Sequence, residues 1–204
     1  MSPTDLDLRN ALVQRGALLE GHFRLSSGRH SNRFVQKFRI LEDPVLLEKV
    51  AREFSGRFRS LDPTVVVGAA VGGILLAYEV ARQLGTKAIF VEKENGIPVL
   101  RRGFTLGRQD RALLVEDVVT TGLSIRETID VAGGYGAEIV GIGVIVLRQP
   151  FGSAQPFDSA LDDKRRGGIP THVLLELPLL SYDAAKCPEC LAGEPVTDPG
   201  SRRS

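Results

Sequence analysis

The 204-residue sequence has no tryptophan, one methionine and two cysteines, and its charges nearly cancel to a formal net charge of +1. A nearly neutral chain lacks the basic surface typical of nucleic-acid-binding proteins, so we expect no nucleic-acid partner. No apolar run approaches the roughly 20 residues that a membrane-spanning helix needs. The opening segment carries early acids and lacks the apolar core of a signal peptide. We therefore expect no membrane partner and a cytoplasmic protein.

Metal-ligating residues are also few. Cys187 and Cys190 lie in "KCPECLAG", at a spacing that can supply half of a zinc site. A second cysteine pair is absent, and His22, His30 and His172 are scattered far upstream. This distribution favours a reduced surface cysteine pair over a structural metal site.

Two nucleotide-binding motifs are missing. No G-x-x-x-x-G-K-[ST] occurs, which excludes a Walker A loop. The stretch "GIGVIV" at 141–146 has the first two glycines of a dinucleotide fingerprint but lies inside a strand pattern. We therefore do not expect dinucleotide binding.

What the sequence does contain is an alternation of apolar strands and amphipathic helices. Helical spacing predicts helices at 5–15, 44–58, 72–85 and 121–136. Apolar runs predict strands at 64–69, 87–93, 111–117, 138–147 and 171–177. This order favours an α/β fold with a mainly parallel sheet that helices cover on both faces.

The pattern predicts one domain over residues 1–204. Short runs broken by turn residues predict a small hood of strands at about 16–40. The core follows at about 44–180, and a tail at 181–204 is expected to fray at its end.

Two loops after predicted strands suit an anionic ligand. "GAAVGG" at 68–73 consists of small residues that let a backbone approach a ligand closely. The loop at 94–110 is long for a strand-to-helix connection, which is typical of a lid. Lys93, Arg101 and Arg102 lie at or in it and suit phosphate oxygens.

A third loop lies in "LLVEDVVTTGLSI", where Glu116 and Asp117 end an apolar strand and hydroxyl residues start a helix. Backbone amides at a helix start bind phosphate, and the hydroxyls of Thr120, Thr121 and Ser124 can add donors. The two acids repel phosphate, but they suit sugar hydroxyls or a Mg²⁺ held partly through water. The loop therefore predicts a ribose 5-phosphate site.

"LLVEDVVTTGLS" closely resembles the phosphoribosyl diphosphate (PRPP) signature of the type I phosphoribosyltransferases. "GALLEGHFRLSSGRHSNRFVQ" is similar to the hood of orotate phosphoribosyltransferases, and "LRRGF", "VIVLR" and "CPEC" are similar to one bacterial branch of that group. The resemblance extends over about residues 10–195. It implies the type I phosphoribosyltransferase fold, with a central mainly parallel sheet flanked by helices and a small N-terminal hood.

The resemblance also implies a reaction: Mg²⁺-dependent transfer of ribose 5-phosphate from PRPP to orotate, giving orotidine 5′-monophosphate and pyrophosphate in pyrimidine biosynthesis. Glu116 and Asp117 would bind the ribose hydroxyls. Lys93, Arg101 and Arg102 would neutralise the leaving pyrophosphate. Mg²⁺ would be held mainly by PRPP and water, with no direct protein ligand expected.

The remaining implied roles concern binding. PRPP would also contact Ala70, Val71, Gly72, Val118, Val119, Thr120, Thr121, Gly122, Leu123 and Ser124. Orotate would contact Thr120, Arg148 and Phe34, and a guanidinium suits bidentate pairing with a carboxylate or carbonyl. In this family the mobile loop closes over the neighbouring subunit's site, so a homodimer is implied.

Two alternatives stay open. A phosphoribosyltransferase for adenine or another base would keep the PRPP chemistry, although Arg148 favours orotate because neutral purines bring no carboxylate. A non-catalytic regulator that senses PRPP or nucleotides would keep the fold, although the Glu116–Asp117 pair favours turnover.

Overall fold

The computed structural model describes residues 8–25, 28–148, 168–177 and 180–199. In chain order, its helices and strands are α1 (Leu8–Gln14), β1 (Leu18–Arg24), β2 (His30–Val35), α2 (Phe38–Leu41), α3 (Pro44–Phe58), β3 (Val65–Ala69), α4 (Gly72–Leu84), β4 (Lys87–Glu94), β5 (Ile97–Leu100), β6 (Arg111–Val119), α5 (Leu123–Gly134), β7 (Glu138–Leu147), β8 (Thr171–Glu176) and α6 (Pro188–Leu191). Single 3₁₀ turns occupy Arg59–Leu61 and Ala184–Lys186.

The central sheet has six strands in the order β5-β4-β3-β6-β7-β8. All neighbouring pairs are parallel except β4 with β5. Strands β3 and β7 are buried along almost their whole length, which explains their continuous runs of valine and isoleucine. The predicted α/β fold with a mainly parallel sheet is confirmed.

Helices cover both faces of this sheet. On one face, Phe54 of α3 and Leu76 of α4 pack into the core with Leu113 of β6. On the other face, Ile125 of α5 packs with Leu114 of β6. None of the described helices combines the length and the apolar character required to cross a membrane.

The glycines of "GIGVIV" serve the packing of α3. Gly141 and Gly143 both lie inside β7, as the sequence predicted. A Cβ added to Gly141 would lie 2.7 Å from the Phe58 ring, and one added to Gly143 would lie 2.9 Å from the Phe54 ring. These glycines therefore make room for two aromatic side chains.

The hood is a two-stranded antiparallel sheet of β1 and β2, followed by the short helix α2. The prediction of strands and turns before residue 40 is confirmed for the two strands, whereas α2 was not expected. Helix α3 then begins after Asp43, whose carboxylate accepts hydrogen bonds from the backbone N–H groups of Val45 and Leu46.

We expected residues 94–110 to form a loop, but part of this region is strand β5. Asn95 and Gly96 both have positive φ angles of 52° and 83° and connect β4 to the antiparallel strand β5. Asn-Gly is the turn sequence that favours a tight hairpin, because both residues tolerate left-handed backbone. The sequence prediction missed this signal.

The expectation that the tail frays is wrong for the described residues up to 199. Thr197 donates its backbone N–H to the His22 carbonyl and accepts a hydrogen bond from the Arg24 N–H. The guanidinium of Arg24 also forms two hydrogen bonds with the carboxylate of Asp198. The tail therefore pairs with the first strand of the hood.

Candidate active site

The candidate active site lies at the carboxyl ends of β3 and β6, the two central strands. From β3 the chain continues to β4 on one side, whereas from β6 it continues to β7 on the other side. Loops that leave such neighbouring strands turn away from each other and open a crevice. Ligands of open α/β sheets bind in this crevice.

The first wall of the crevice is the glycine loop at 68–73. A Cβ added to Gly68 would overlap the carbonyl of Gly73, and one added to Gly72 would overlap the carboxylate of Asp117. Glycine is therefore required where β3, α4 and β6 meet. Ala70 and Val71 are exposed, and the peptide bond between them is cis.

The second wall is the acid pair. Strand β6 continues to Val119, two residues beyond the predicted end at 117. Glu116 and Asp117 consequently lie inside the strand, with only 5% and 2% of their surface exposed. Such burial of two adjacent carboxylates is unfavourable unless partners compensate for the lost water.

Among the described residues, a cation pairs with only one of the two acids, Asp117. Lys37 lies with its Nζ 2.9 Å from Asp117 Oδ2, and the Val118 N–H donates to Asp117 Oδ1 at 2.6 Å. Glu116 Oε2 has no hydrogen-bond partner among the described residues. Burial, together with the adjacent Asp117 charge, raises the pKa of Glu116 well above its usual range, and Lys37 only partly opposes this.

The predicted phosphate loop is shorter than expected, because Val118 and Val119 belong to β6 and Leu123 begins α5. The connecting residues are Thr120, Thr121 and Gly122, and the last has a positive φ of 74°.

This connection leaves donors available for an anion. Within the described part of the chain, the backbone N–H groups of Thr120, Thr121, Gly122 and Ser124 have no acceptor. Thr120 and Ser124 are also exposed. Free amides at the start of a 12-residue helix present positive charge to a phosphate.

Arg148 lies beside this connection. Its backbone N–H donates to the Val119 carbonyl at 2.7 Å, which fixes it next to the end of β6. Burial lowers the pKa of its guanidinium, and no hydrogen bond or ion pair joins that group to the described residues. A partly buried arginine without an internal partner is suited to bind an anionic ligand group.

The three predicted loop cations are engaged with acids. Lys93 Nζ lies 2.8 Å from Glu127 of α5. Arg101 lies 2.7 Å from Glu94, and Arg102 lies 2.8 Å from Glu92. All three cations are about half exposed, so these pairs are weak and can exchange for a more highly charged ligand.

Phe34 lies in β2 of the hood, where its ring packs against Phe23 with centroids 5.9 Å apart. It is partly exposed, so one part of the ring is free to contact a ligand.

Lys37 is the site residue that sequence reasoning missed. It lies 80 positions from its partner Asp117, just after the second hood strand. A signal was present, because a buried acid pair requires a cation and Lys37 is the only lysine between 16 and 40.

Comparisons with known proteins agree with this arrangement. The phosphoribosyl transferase domain family matches residues 39–160. The chain is 41% identical to the orotate phosphoribosyltransferase of Desulforamulus reducens, over 97% of each chain. It is 44% identical to that of Pelotomaculum thermopropionicum, over 95% of this chain and 96% of the relative.

Solved structures give the same result. The crystal structure of orotate phosphoribosyltransferase from Aeropyrum pernix superposes with a TM-score of 0.66 at 28% identity, and covers 83% of this chain and 93% of that one. The crevice, with its acid pair and the connection from Thr120 to Gly122, thus occurs in a chain that belongs to the orotate phosphoribosyltransferase family.

Proposed function

We propose that this chain catalyses the Mg²⁺-dependent transfer of ribose 5-phosphate from PRPP to orotate, releasing pyrophosphate and forming orotidine 5′-monophosphate for pyrimidine biosynthesis. The observation that carries the proposal is the juxtaposition of a buried acid pair with a connection of free amides and hydroxyls. The first suits vicinal sugar hydroxyls, and the second suits a 5′-phosphate.

The acid pair acts as hydrogen-bond acceptor. The unpaired Glu116 Oε2 accepts a hydrogen bond from one ribose hydroxyl, and Asp117, which pairs with Lys37, accepts another. Hydrogen bonds from two neighbouring hydroxyls to the acid pair fix the sugar ring so that its anomeric carbon faces the base.

Arg148 provides selectivity for the base. Its partly buried guanidinium can pair with the orotate carboxylate or a carbonyl in bidentate fashion. Thr120, close to the Val119–Arg148 hydrogen bond, and Phe34 of the hood would complete the orotate contacts. An uncharged purine would leave the arginine without a counter-charge.

Departure of pyrophosphate builds positive charge on the ribose ring, as at a glycosidic centre. Orotate is already anionic, so no strong base is needed. The chain contributes by aligning the two reactants and by placing Lys93, Arg101 and Arg102 near the leaving group. To do so, these cations must exchange Glu127, Glu94 and Glu92 for the leaving group. Because all three cations are about half exposed, rotation of their side chains is enough to release them.

The site residues fit magnesium. Mg²⁺ prefers oxygen ligands and retains several waters, and carboxylates of the acid pair can accept hydrogen bonds from those waters without binding the ion directly. We infer that PRPP and water supply most of the ligands. When bound, the ion would neutralise charge on the pyrophosphate.

We further propose a homodimer in which the β4–β5 hairpin serves the neighbouring subunit. Val71, Leu75 and Tyr78 are 68%, 48% and 65% exposed and recur at helical spacing along one face of α4. A contiguous exposed apolar face at this position supports a subunit interface next to the active site.

The activity is tested by mixing the purified protein with PRPP, Mg²⁺ and either orotate or adenine, and following the absorbance of the base. We expect orotate to be consumed and adenine to remain. Arg148→Ala should lose most of the activity, whereas Arg52→Ala, which removes an exposed arginine of α3, should not. Equal use of adenine, or a fully active Arg148→Ala enzyme, would reject the assignment.

The shared loop is tested with hybrids of two inactive variants, Lys93→Ala and Asp117→Asn. If Lys93 serves the partner's site, a hybrid dimer contains one site with both defects and one with none, so mixing restores activity. If Lys93 serves its own site, each site keeps one defect, and mixing restores nothing.

A further inference from the structure

Four metal-ligating side chains meet between the hood and the tail. They are His22 in β1, His30 at the start of β2, Cys187 before α6 and Cys190 within it. Their ligand atoms all lie within 4.8 Å of one another. His22, His30 and Cys187 are buried, and Cys190 is partly exposed. The expectation of a reduced surface cysteine pair is therefore wrong for Cys187.

The distances within this His/Cys cluster approach those around a tetrahedral zinc ion. With Zn–S of about 2.3 Å and Zn–N of about 2.0–2.1 Å, tetrahedral ligands lie about 3.3 Å apart for two nitrogens and about 3.6 Å apart for nitrogen and sulfur. His22 Nε2 lies 2.9 Å from His30 Nδ1, 3.5 Å from Cys187 Sγ and 3.6 Å from Cys190 Sγ. Cys190 Sγ lies 3.2 Å from His30 Nδ1.

The first histidine is already oriented as a ligand. His22 Nδ1 lies 2.9 Å from the Glu194 carbonyl, which can only accept a hydrogen bond. The proton therefore belongs on Nδ1, and Nε2 keeps its lone pair directed into the cluster. A backbone carbonyl on the outer ring nitrogen is the usual support of a metal-bound histidine.

Cys187 lies among hydrogen-bonding groups that orient its sulfur. The backbone N–H groups of Glu189 and Cys190 point at the Cys187 sulfur. The thiol donates to Glu189 Oε2 at 3.1 Å. A metal cation supplies the charge that a buried thiolate otherwise lacks.

Backbone pairing holds the ligands in place. His30 and Tyr182 exchange two N–H···O hydrogen bonds of 2.8 Å, and Thr197 pairs with the carbonyl of His22. Ser31 Oγ donates to the Leu180 carbonyl at 2.8 Å. Because each histidine strand is tied to the tail, the four ligands converge before any ion binds.

We propose that His22, His30, Cys187 and Cys190 form a structural zinc site that fastens the C-terminal tail to the hood. Two sulfurs and two nitrogens in a tetrahedral arrangement select zinc over magnesium or calcium, which prefer oxygen. Four protein ligands leave no open position, so the site is structural rather than catalytic. None of the four residues takes part in the proposed transfer reaction, so this inference is independent of it.

Metal content of the full-length protein tests the proposal. After expression with zinc and extensive dialysis, elemental analysis should find about one zinc per chain. Cys187→Ser and His30→Asn should each reduce the content at least tenfold. His172→Asn is the matched control, because His172 lies in β8 against the Phe54 ring and outside the cluster, and it should retain the metal.

Cobalt distinguishes the ligand set without any variant. Replacing zinc with Co²⁺ should give the visible bands of a tetrahedral ion and a near-ultraviolet thiolate-to-cobalt band. The cysteines should react with a thiol reagent only after a chelator is added. These two measurements remain decisive if a variant fails to fold.

Three results would overturn the zinc site. They are a zinc-replete wild type with less than about a tenth of an ion per chain, a Cys187→Ser variant with full metal content, or a Cys187–Cys190 disulfide in the freshly purified protein. The first and third would leave a metal-free cluster, and the second would place zinc elsewhere.

Discussion

The crevice and the His/Cys cluster both bury polar groups that water would otherwise solvate. The two sites differ in how far protein partners replace that water. In the crevice, Asp117 pairs with Lys37, whereas the neighbouring Glu116 Oε2 has no partner among the described residues. In the cluster, four side chains converge with mutually suitable geometry, and the outer nitrogen of His22 is also satisfied. The crevice is therefore incomplete until a substrate supplies hydrogen bonds, whereas one zinc ion completes the cluster.

This difference predicts opposite responses to mutation. Changes in the crevice should impair catalysis, and removing the acidic group of Glu116 should also leave stability equal or higher, because an unsatisfied buried polar group weakens a fold. Changes in the cluster should lower stability and leave the turnover number nearly intact. A variant that behaves otherwise would break the comparison.

The largest expected effect is on catalysis. Asp117→Asn removes the carboxylate that is proposed to accept from a ribose hydroxyl, and it takes away the ion-pair partner of Lys37. We expect kcat/KM for PRPP to fall about 10²–10³-fold, the scale of losing one preorganised electrostatic contact. Steady-state kinetics with orotate and PRPP measure it.

Asp130→Asn is the control for this variant, since Asp130 is exposed on α5 and should keep wild-type kinetics. A loss of less than about threefold in Asp117→Asn would show that the acid pair does not bind the reacting sugar.

The second-largest expected effect is a loss of stability when the His/Cys cluster loses its metal. A chelator, or Cys190→Ser, should lower the Tm by about 6–12 °C, which corresponds to losing about 3 kcal/mol of ligand-linked stability in a chain of this size. Thermal unfolding at matched pH measures the shift. The kcat should change less than about threefold, because none of the four cluster residues is a proposed substrate contact.

An unchanged Tm after complete metal removal would contradict a stabilising role for the cluster. A large fall in kcat with an unchanged Tm after metal removal would show that the cluster serves catalysis rather than stability.

A smaller effect concerns the glycine loop. Gly72→Ala places a methyl group where the Asp117 carboxylate lies, so the carboxylate must rotate away from its position beside Lys37. We expect the KM for PRPP to rise about 30-fold, or about 2 kcal/mol of binding. Kinetic titration of PRPP at saturating orotate measures it.

Gly56→Ala provides the matched control. An added Cβ at Gly56 of α3 meets nothing within 4 Å, so alanine should leave the KM unchanged and slightly stabilise the helix. An unaltered KM in Gly72→Ala would mean that Asp117 tolerates the displacement.

The smallest expected effect is a gain in stability that depends on pH. Because the fold raises the pKa of Glu116, the folded chain favours the protonated form, and stability is lost as pH rises from the usual value of 4.5 through the raised pKa. Glu116→Gln removes this loss. We expect its Tm to exceed that of the wild type by about 2–4 °C near pH 8 and to match it near pH 4.

Thermal unfolding without substrates at both pH values tests this, alongside the expected fall in activity. A Gln variant that is less stable than the wild type near pH 8 would show that the Glu116 carboxylate is satisfied in the folded protein.

Much of the fold was predictable because the signals are local. Strand β7 runs from Glu138 to Leu147, as its apolar run predicted. The acid pair and the predicted phosphate loop after it could also be recognised, because one contiguous segment carries both. Strand β5 was missed although its Asn-Gly turn is a local signal. The end of β6 was predicted two residues too early, because two adjacent acids usually indicate the end of a buried strand.

The sequence alone determined the alternation of strands and helices, because hydrophobic periodicity is visible within short stretches of chain. It also determined the chemistry of the segment from Leu113 to Ile125, because the acids, the hydroxyls and the helix start are neighbours in the chain. Only the tertiary structure decided that Lys37 reaches Asp117 and that His22 and His30 meet two cysteines more than 150 positions away. Which distant side chains meet depends on how the hood and tail pack, and that is set by the sum of all contacts rather than by any one stretch of sequence.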